Sequence, residues 1–185
     1  FDSDIWKNSS SEDIDYLLNK TPYKTSSSVL KDLMIRSILT TSNPPTKQNS
    51  EIITFLDMRI NFLVKNGLFN EFYKLAILIE EKEWNDNIKL NLKNYYLLYN
   101  HKFLCKKDSL LFPISDSYLT LYYDSFCNAM SSNKLALDLN IELMNDAGTY
   151  DRNYITILES ILNNTQLDLD EIDSDLNLFH LNLLN

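Results

Sequence analysis

Glycine and proline are scarce in this chain, with two glycines and four prolines among 185 residues. An all-β fold needs turn residues every few positions, so this scarcity excludes it and points to long helices joined at few sharp corners. Basic residues are also outnumbered, 17 Lys and Arg against 26 Asp and Glu, for a formal charge of −9. A nucleic-acid backbone is bound by a cationic face that releases counterions, so nucleic acid is not an expected partner. Apolar residues make up 44%, but nowhere do they run for the ~20 positions that cross a bilayer, and no membrane span is expected. The two cysteines, Cys105 and Cys127, are too few for a disulfide scaffold and too widely spaced for a zinc motif. Taken alone they are either one bridge or two buried thiols. The chain begins at Phe1 with no initiator Met and no basic-then-apolar leader, which reads as a processed fragment.

What the sequence does have is helical periodicity. Between residues 116 and 162 it reads as two antiparallel helices and the start of a third. Leu119, Tyr122, Tyr123, Phe126 and Met130 fall at i, i+3, i+4, i+7 and i+11, which gathers them on one helix face. Ser131-Ser132-Asn133 breaks that pattern. A second stripe, Leu135, Leu139 and Leu143, is expected to answer the first and to stop at Gly148, where a left-handed backbone carries no side-chain penalty. Tyr154, Ile157, Leu158 and Ile161 make the third.

The remainder repeats this organisation. Ser9 with Glu12 is a capping-box signature for a helix from about residue 10 to 19, ended by Thr21-Pro22. Residues 26–28 offer caps for a second helix with the stripe Leu30, Leu33, Met34 and Ile38. Asn43-Pro44-Pro45 and the residues to 50 form the clearest linker, which is expected to join helical layers because the stretch before it is too small to hold a core. Ile53, Leu56, Ile60, Leu63 and Val64, then Gly67, then Phe69, Phe72, Tyr73, Ala76 and Ile79 describe a helical hairpin. A second hairpin carries Ile88, Leu92, Tyr95, Tyr96 and Tyr99, with a return helix over about residues 102–111 before Pro113. Starting points near 51, 86 and 117 are separated by 35 and 31 residues, close to the ~34-residue tetratricopeptide period.

The expected fold is therefore all-α, antiparallel hairpins stacked as a tetratricopeptide-like α-solenoid in a single helical-repeat domain over 1–185. Residues 1–43 form an N-terminal helical cap and 50–163 the hairpins; 164–185 hold an acidic linker and the start of a further helix, as in part of a longer solenoid.

Residues suited to chemistry are few. His101 lies between two helices and His180 in the last apolar stretch, neither with an acid or thiol at a metal-ligand spacing. Glu80, Glu81 and Glu83 are adjacent acids at a helix end, where a solvated face is the expected environment and an apolar pocket would be needed for acid–base work. There is no phosphate loop, nucleophile elbow or dinucleotide glycine pattern, so no catalytic, cofactor-binding or metal-binding residue is assigned and an enzyme is not expected. Tyr95, Tyr96, Tyr99, Tyr118, Tyr122 and Tyr123 come from consecutive hairpins. Their rings are expected first at the seam between stacked helices, with a groove for a peptide or glycan partner as the alternative.

Several phrases resemble a family of uncharacterised alphaproteobacterial secreted helical-repeat proteins, often labelled antifreeze-like. Asp4-Ile5-Trp6 is similar to its entry segment, and Ile38-Leu39-Thr40-Thr41 running into Pro44-Pro45 to its first linker. Phe126-Cys127-Asn128-Ala129 with the helix up to Gly148 resembles its most recognisable hairpin. Leu167-Asp168-Leu169-Asp170 and His180-Leu181 resemble a segment after which its members continue. This chain departs at Ser132, where the family places a glycine. The resemblance implies a periplasmic or secreted protein and brings no activity or catalytic residue.

It also implies an oxidising compartment, the condition for pairing Cys105 with Cys127. The two fall on consecutive, antiparallel helices, at levels that differ by about 6 Å at ~1.5 Å per residue. A bridge is the expectation and two buried thiols the alternative. The leading functional expectation is a non-catalytic module of the cell envelope binding a protein or peptide. A self-assembling structural component of the envelope is the second, and a glycan-acting solenoid enzyme the third.

Overall fold

Helix ends, more than helix middles, set the course of this chain. The computed structural model describes residues 4–20, 23, 25–45, 54–111 (107–111 by backbone alone), 117–167 and 172. Among these the regular structure is nine α-helices and one 3₁₀ turn, with no strand. The chain divides into two compact units, Phe1–Ile88 and Lys89–Asn185. The Thr21-Pro22 stop, residues 46–50, Ile53, Pro113, the acids from Asp168 to Asp175 and the last apolar stretch with His180 lie outside the described residues.

In the first unit, α1 (Ser11–Lys20) opens with a reciprocal cap. Ser10 Oγ accepts from the Asp13 amide at 3.1 Å, and the Asp13 carboxylate accepts from the Ser10 hydroxyl at 2.7 Å and its amide at 3.4 Å. The expected Ser9–Glu12 pair is one residue early, because the Ser9 amide is still engaged in the entry turn to the Trp6 carbonyl. In α2 (Ser28–Leu39), Ser27 caps by accepting from the Leu30 amide. Of the stripe expected there, Ile38 is buried and Met34 half-buried, while Leu30 and Leu33 are exposed.

The Thr54–Asp57 capping box starts α3 (Phe55–Lys65), which buries Phe55, Met58, Ile60, Phe62 and Leu63. Leu56, expected in the core, is only half-buried. This helix is packed by α1 and by α4 (Phe69–Ala76), so apolar residues occupy several of its faces and periodicity alone does not choose among them. In turn α4 buries Phe69, Phe72, Leu75 and Ala76, and it ends before Ile79, where the expected stripe ran on. A 3₁₀ turn at Glu81–Glu83 follows. Contacts of α1 with α3 and of α2 with α4 tie the segments on either side of the linker into one unit.

The boundary between units falls inside α5 (Asp86–Tyr99), whose first turn is capped by Asn85 accepting from the Ile88 amide at 2.9 Å. The second unit continues with α6 (His101–Leu111), α7 (Ser117–Met130), α8 (Lys134–Asp146) and α9 (Arg152–Asn163). At its centre is α7, packed against α6, α8 and α9. Tyr122, Tyr123, Phe126 and Ala129 of α7 join Leu97, Leu104, Leu137, Met144, Tyr154 and Leu158 in its core. The α9 stripe is buried at Tyr154, Ile157 and Leu158 and partly at Ile161, as its spacing requires.

The α8 stripe is different. Leu135, Leu139 and Leu143 are 85%, 56% and 46% exposed, and the line facing α7 is Leu137, Ile141 and Met144. Two apolar stripes at helical spacing run along this helix, and only one can face α7. Met130, at the end of the α7 stripe, is also exposed.

Four helices end alike. After α3 and α8 the chain turns through Gly67 (φ 70°) and Gly148 (φ 67°), with the Leu68 amide reaching the Leu63 carbonyl and the Thr149 amide the Met144 carbonyl. After α7 and α9 the left-handed residue is Ser132 (φ 55°) or Asn164 (φ 50°), with the Asn133 amide on the Asn128 carbonyl and the Thr165 amide on the Ser160 carbonyl. Ser132 thus takes the conformation for which glycine is the usual choice.

Candidate functional site

Tyrosines dominate the second unit. Tyr95, Tyr96 and Tyr99 lie within one turn of α5. Tyr95 packs at 4.9 Å from Tyr99 and 5.5 Å from Tyr96, and Tyr96 packs at 4.5 Å from Phe103 of α6. Tyr99, 54% exposed, stands farthest into solvent, while Tyr95 and Tyr96 are half-buried. On α7, Tyr118 and Tyr122 are four residues apart and share a face, their rings 4.6 Å apart. The Tyr118 hydroxyl donates to that of Tyr122 at 2.6 Å, and Tyr122 passes the chain on to the Thr149 carbonyl at 3.2 Å. Tyr122 also stacks on Tyr154 of α9, with centroids 4.4 Å apart and planes 12° from parallel, and the Tyr154 hydroxyl donates to the Tyr122 carbonyl. Tyr123 donates to Asn94 Oδ1 at 2.8 Å, under the buried Lys93 ammonium 5.0 Å from its ring centre.

Burial pushes the Tyr122 hydroxyl far above its ordinary pKa. Burial, then the neighbouring Tyr122 and Tyr123, does the same to Tyr154. Both stay neutral at physiological pH, so they serve as hydrogen-bond donors and packing surface and not as bases. Of the six tyrosines singled out by sequence, Tyr122 and Tyr123 are buried, Tyr95, Tyr96 and Tyr118 half-buried, and Tyr99 exposed.

No protein-family model, curated protein or solved structure matches this chain.

The remaining candidates have ordinary surroundings. His101 sits in the first turn of α6, which Asn100 caps by accepting from the Phe103 amide at 3.2 Å, and its ring meets Phe126 edge-on at 6.4 Å. Glu80, Glu81 and Glu83 are all exposed, and Glu80 pairs with Lys82 at 2.5 Å. Among the described residues no group of three or more His, Cys, Asp or Glu is placed to hold a metal ion, and no helix is long and apolar enough to cross a membrane.

Cys105 of α6 and Cys127 of α7 form a disulfide, their Cα atoms 5.1 Å apart. The level difference counted along the helices does not keep them apart, and no cysteine is left free.

Sequence reasoning missed Arg59. Its side chain, on buried α3, donates from Nε to the Ile38 carbonyl at 2.6 Å and from Nη2 to the Thr40 carbonyl at 2.9 Å, and its guanidinium stands 5.4 Å from the Phe55 ring centre. Burial pushes the guanidinium down to about 10. A lone Arg inside an apolar stripe reads as a solvated charge, and only the free carbonyls at the end of α2 could have revealed its role. Asp57 is a second missed anchor. Burial acts to raise its pKa, but hydrogen bonds from Asn87, Thr54 and Asn85 outweigh it and hold the carboxyl below its ordinary value. Asp57 thereby joins the start of α3 to the start of α5.

Proposed function

We propose that this chain is a non-catalytic helical-repeat module of the cell envelope, its hairpins stacked as a tetratricopeptide-like α-solenoid, which holds a protein or peptide segment against tyrosines of its second unit. The observation that carries the reading is the packing of helices on their next-but-one neighbours: α1 on α3 and α2 on α4 in the first unit, α7 on α9 in the second. Stacked hairpins produce that pattern, because each repeat covers the apolar face of the one before it. The starts of α5, α7 and α9 at residues 86, 117 and 152 keep the spacing, with intervals of 31 and 35.

Tyr95, Tyr96, Tyr99 and Tyr118 supply the contact surface. Tyrosine offers a large ring and a polar tip at low cost in side-chain entropy, which suits a binding groove. The Cys105–Cys127 bridge supports a periplasmic or secreted location, since such bonds persist in oxidising compartments. Affinity capture from an envelope extract on the oxidised protein tests the reading. A partner retained by the unaltered chain and lost with Tyr99→Ala and Tyr95→Ala together is expected. Repeated capture of nothing, or capture indifferent to both substitutions, would overturn it.

A further inference from the structure

The outward stripe of α8 is unaccounted for by the tyrosine site. We infer that it docks a single amphipathic helix of a partner protein whose apolar stripe is bordered by lysine or arginine. This deepens the protein-binding reading above and rests on it.

Leu135, Leu139 and Leu143, all exposed, recur every four residues and form a ridge about 12 Å long at ~1.5 Å per residue. Such a ridge fits the groove of another helix. The helix beneath it is firmly held. Leu137 and Met144 are buried on the opposite side, Asn133 caps the start by accepting from the Ala136 amide, and the turn through Gly148 closes the end.

Charge selects the occupant. Asp138, Glu142 and Asp146 recur at the same four-residue spacing along one border of the ridge, where like charges work against the helix they sit on. Lys134 pairs with Asp138 at 3.2 Å. A cationic border on a partner helix would relieve the repulsion that remains and fix the register of the two helices. A second copy of this chain fits poorly. Each copy carries a formal −9, and antiparallel pairing sets the two acidic borders against each other. The chain's own C-terminal segment brings further acids, Asp168, Asp170, Glu171, Asp173 and Asp175. An anionic membrane surface is disfavoured for the same reason.

The test uses the full oxidised chain and two synthetic helical peptides with the same leucine stripe, one bordered by lysines and one by glutamates, with binding read by fluorescence anisotropy. The lysine peptide should bind at least about tenfold tighter, the signature of electrostatic complementarity, and the gap should narrow as salt rises. Leu139→Ala should weaken it by about tenfold with circular dichroism unchanged, since alanine is the strongest helix former. Glu142→Lys combined with Asp146→Lys should turn the preference toward the glutamate peptide. Binding of neither peptide, equal affinity for both, or a preference unmoved by charge reversal overturns the inference. Self-association by light scattering that Leu139→Asp abolishes would assign the ridge to a second copy. Binding gained only on Leu181→Asp would assign it to the chain's own end. If envelope capture still depends on Tyr99 and Tyr95 while neither peptide binds, the module reading stands and this inference alone falls. If the peptides behave as expected and capture ignores the tyrosines, the tyrosine site falls instead.

Discussion

Replacing Tyr154 by alanine should be among the most damaging single changes in the second unit. The side chain is fully buried, stacked on Tyr122 and bonded through its hydroxyl to the Tyr122 carbonyl, so it fastens α9 to the middle of α7. Truncating a buried aromatic to alanine loses transfer energy and leaves a cavity, together worth ~3–5 kcal/mol. The hydroxyl accounts for little of this. Its removal in Tyr154→Phe gives up the neutral hydrogen bond to the Tyr122 carbonyl, about 1 kcal/mol. Urea unfolding followed by far-ultraviolet circular dichroism separates the two. Tyr154→Ala should lower the midpoint of the second unit by more than about 1 M at slopes of ~1–3 kcal/mol per M. A cost under about 1 kcal/mol for Tyr154→Ala, the scale of surface substitutions, would mean the ring is not in a packed core. Equal costs for Ala and Phe would mean the hydroxyl, and not the stacking, holds α9.

The same pair predicts a pH dependence: Tyr122 and Tyr154 are raised on folding, so their contribution is full below the unfolded tyrosine value of ~10 and is lost as pH climbs above it, by ~1.4 kcal/mol per pH unit for each group. Arg59, depressed to about 10, acts with the opposite sign over that range, so the measurement is the difference between wild type and Tyr154→Phe, which should lose one tyrosine's share of the slope. Arg59→Met strips the Ile38 and Thr40 carbonyls of a charged donor at ~1.5–3 kcal/mol each, partly offset by relief of a buried charge; a net loss near ~2 kcal/mol is expected in thermal melts of the first unit, and an unchanged melt would dismiss the anchor. Mass spectrometry without reductant should find no alkylatable thiol, and Cys105→Ser with Cys127→Ser should cost ~3 kcal/mol in the chain-entropy description; two free thiols would remove the bridge. Phe62→Ala should cost ~3 kcal/mol or more and Leu56→Ala about 1; equal losses would contradict the orientation of α3.

Where a helix met its neighbours on one side, the sequence was enough. The stripe of α9 was legible because its buried residues Tyr154, Ile157 and Leu158 fall on one face at helical spacing. On α8 the same logic chose the wrong face, since Leu135, Leu139, Leu143 and Leu137, Ile141, Met144 are equally periodic and only packing against α7 separates them. Helix stops were visible at Gly67 and Gly148, and as a break in pattern at Ser132. Asn164 at φ 50° passed unnoticed, because asparagine in that conformation looks like any polar loop residue. The tyrosines of the candidate site were found by count, but which of them are walls and which are beams was decided by Thr149 and Tyr154, contacts about thirty residues away in sequence. Arg59 lay beyond reach for the same reason. Its partners are carbonyls, which every residue possesses.

The bridge between α6 and α7 has a consequence for a chain that meets proteases. A backbone cut anywhere between Cys105 and Cys127 would leave two fragments, one ending in α6 or beyond and one carrying α8 and α9, still fastened to each other. The nicked molecule would run as one species until reduced. The pieces would stay within a few ångströms of their original partners, so re-closure of the core would remain an intramolecular event and not a second-order encounter.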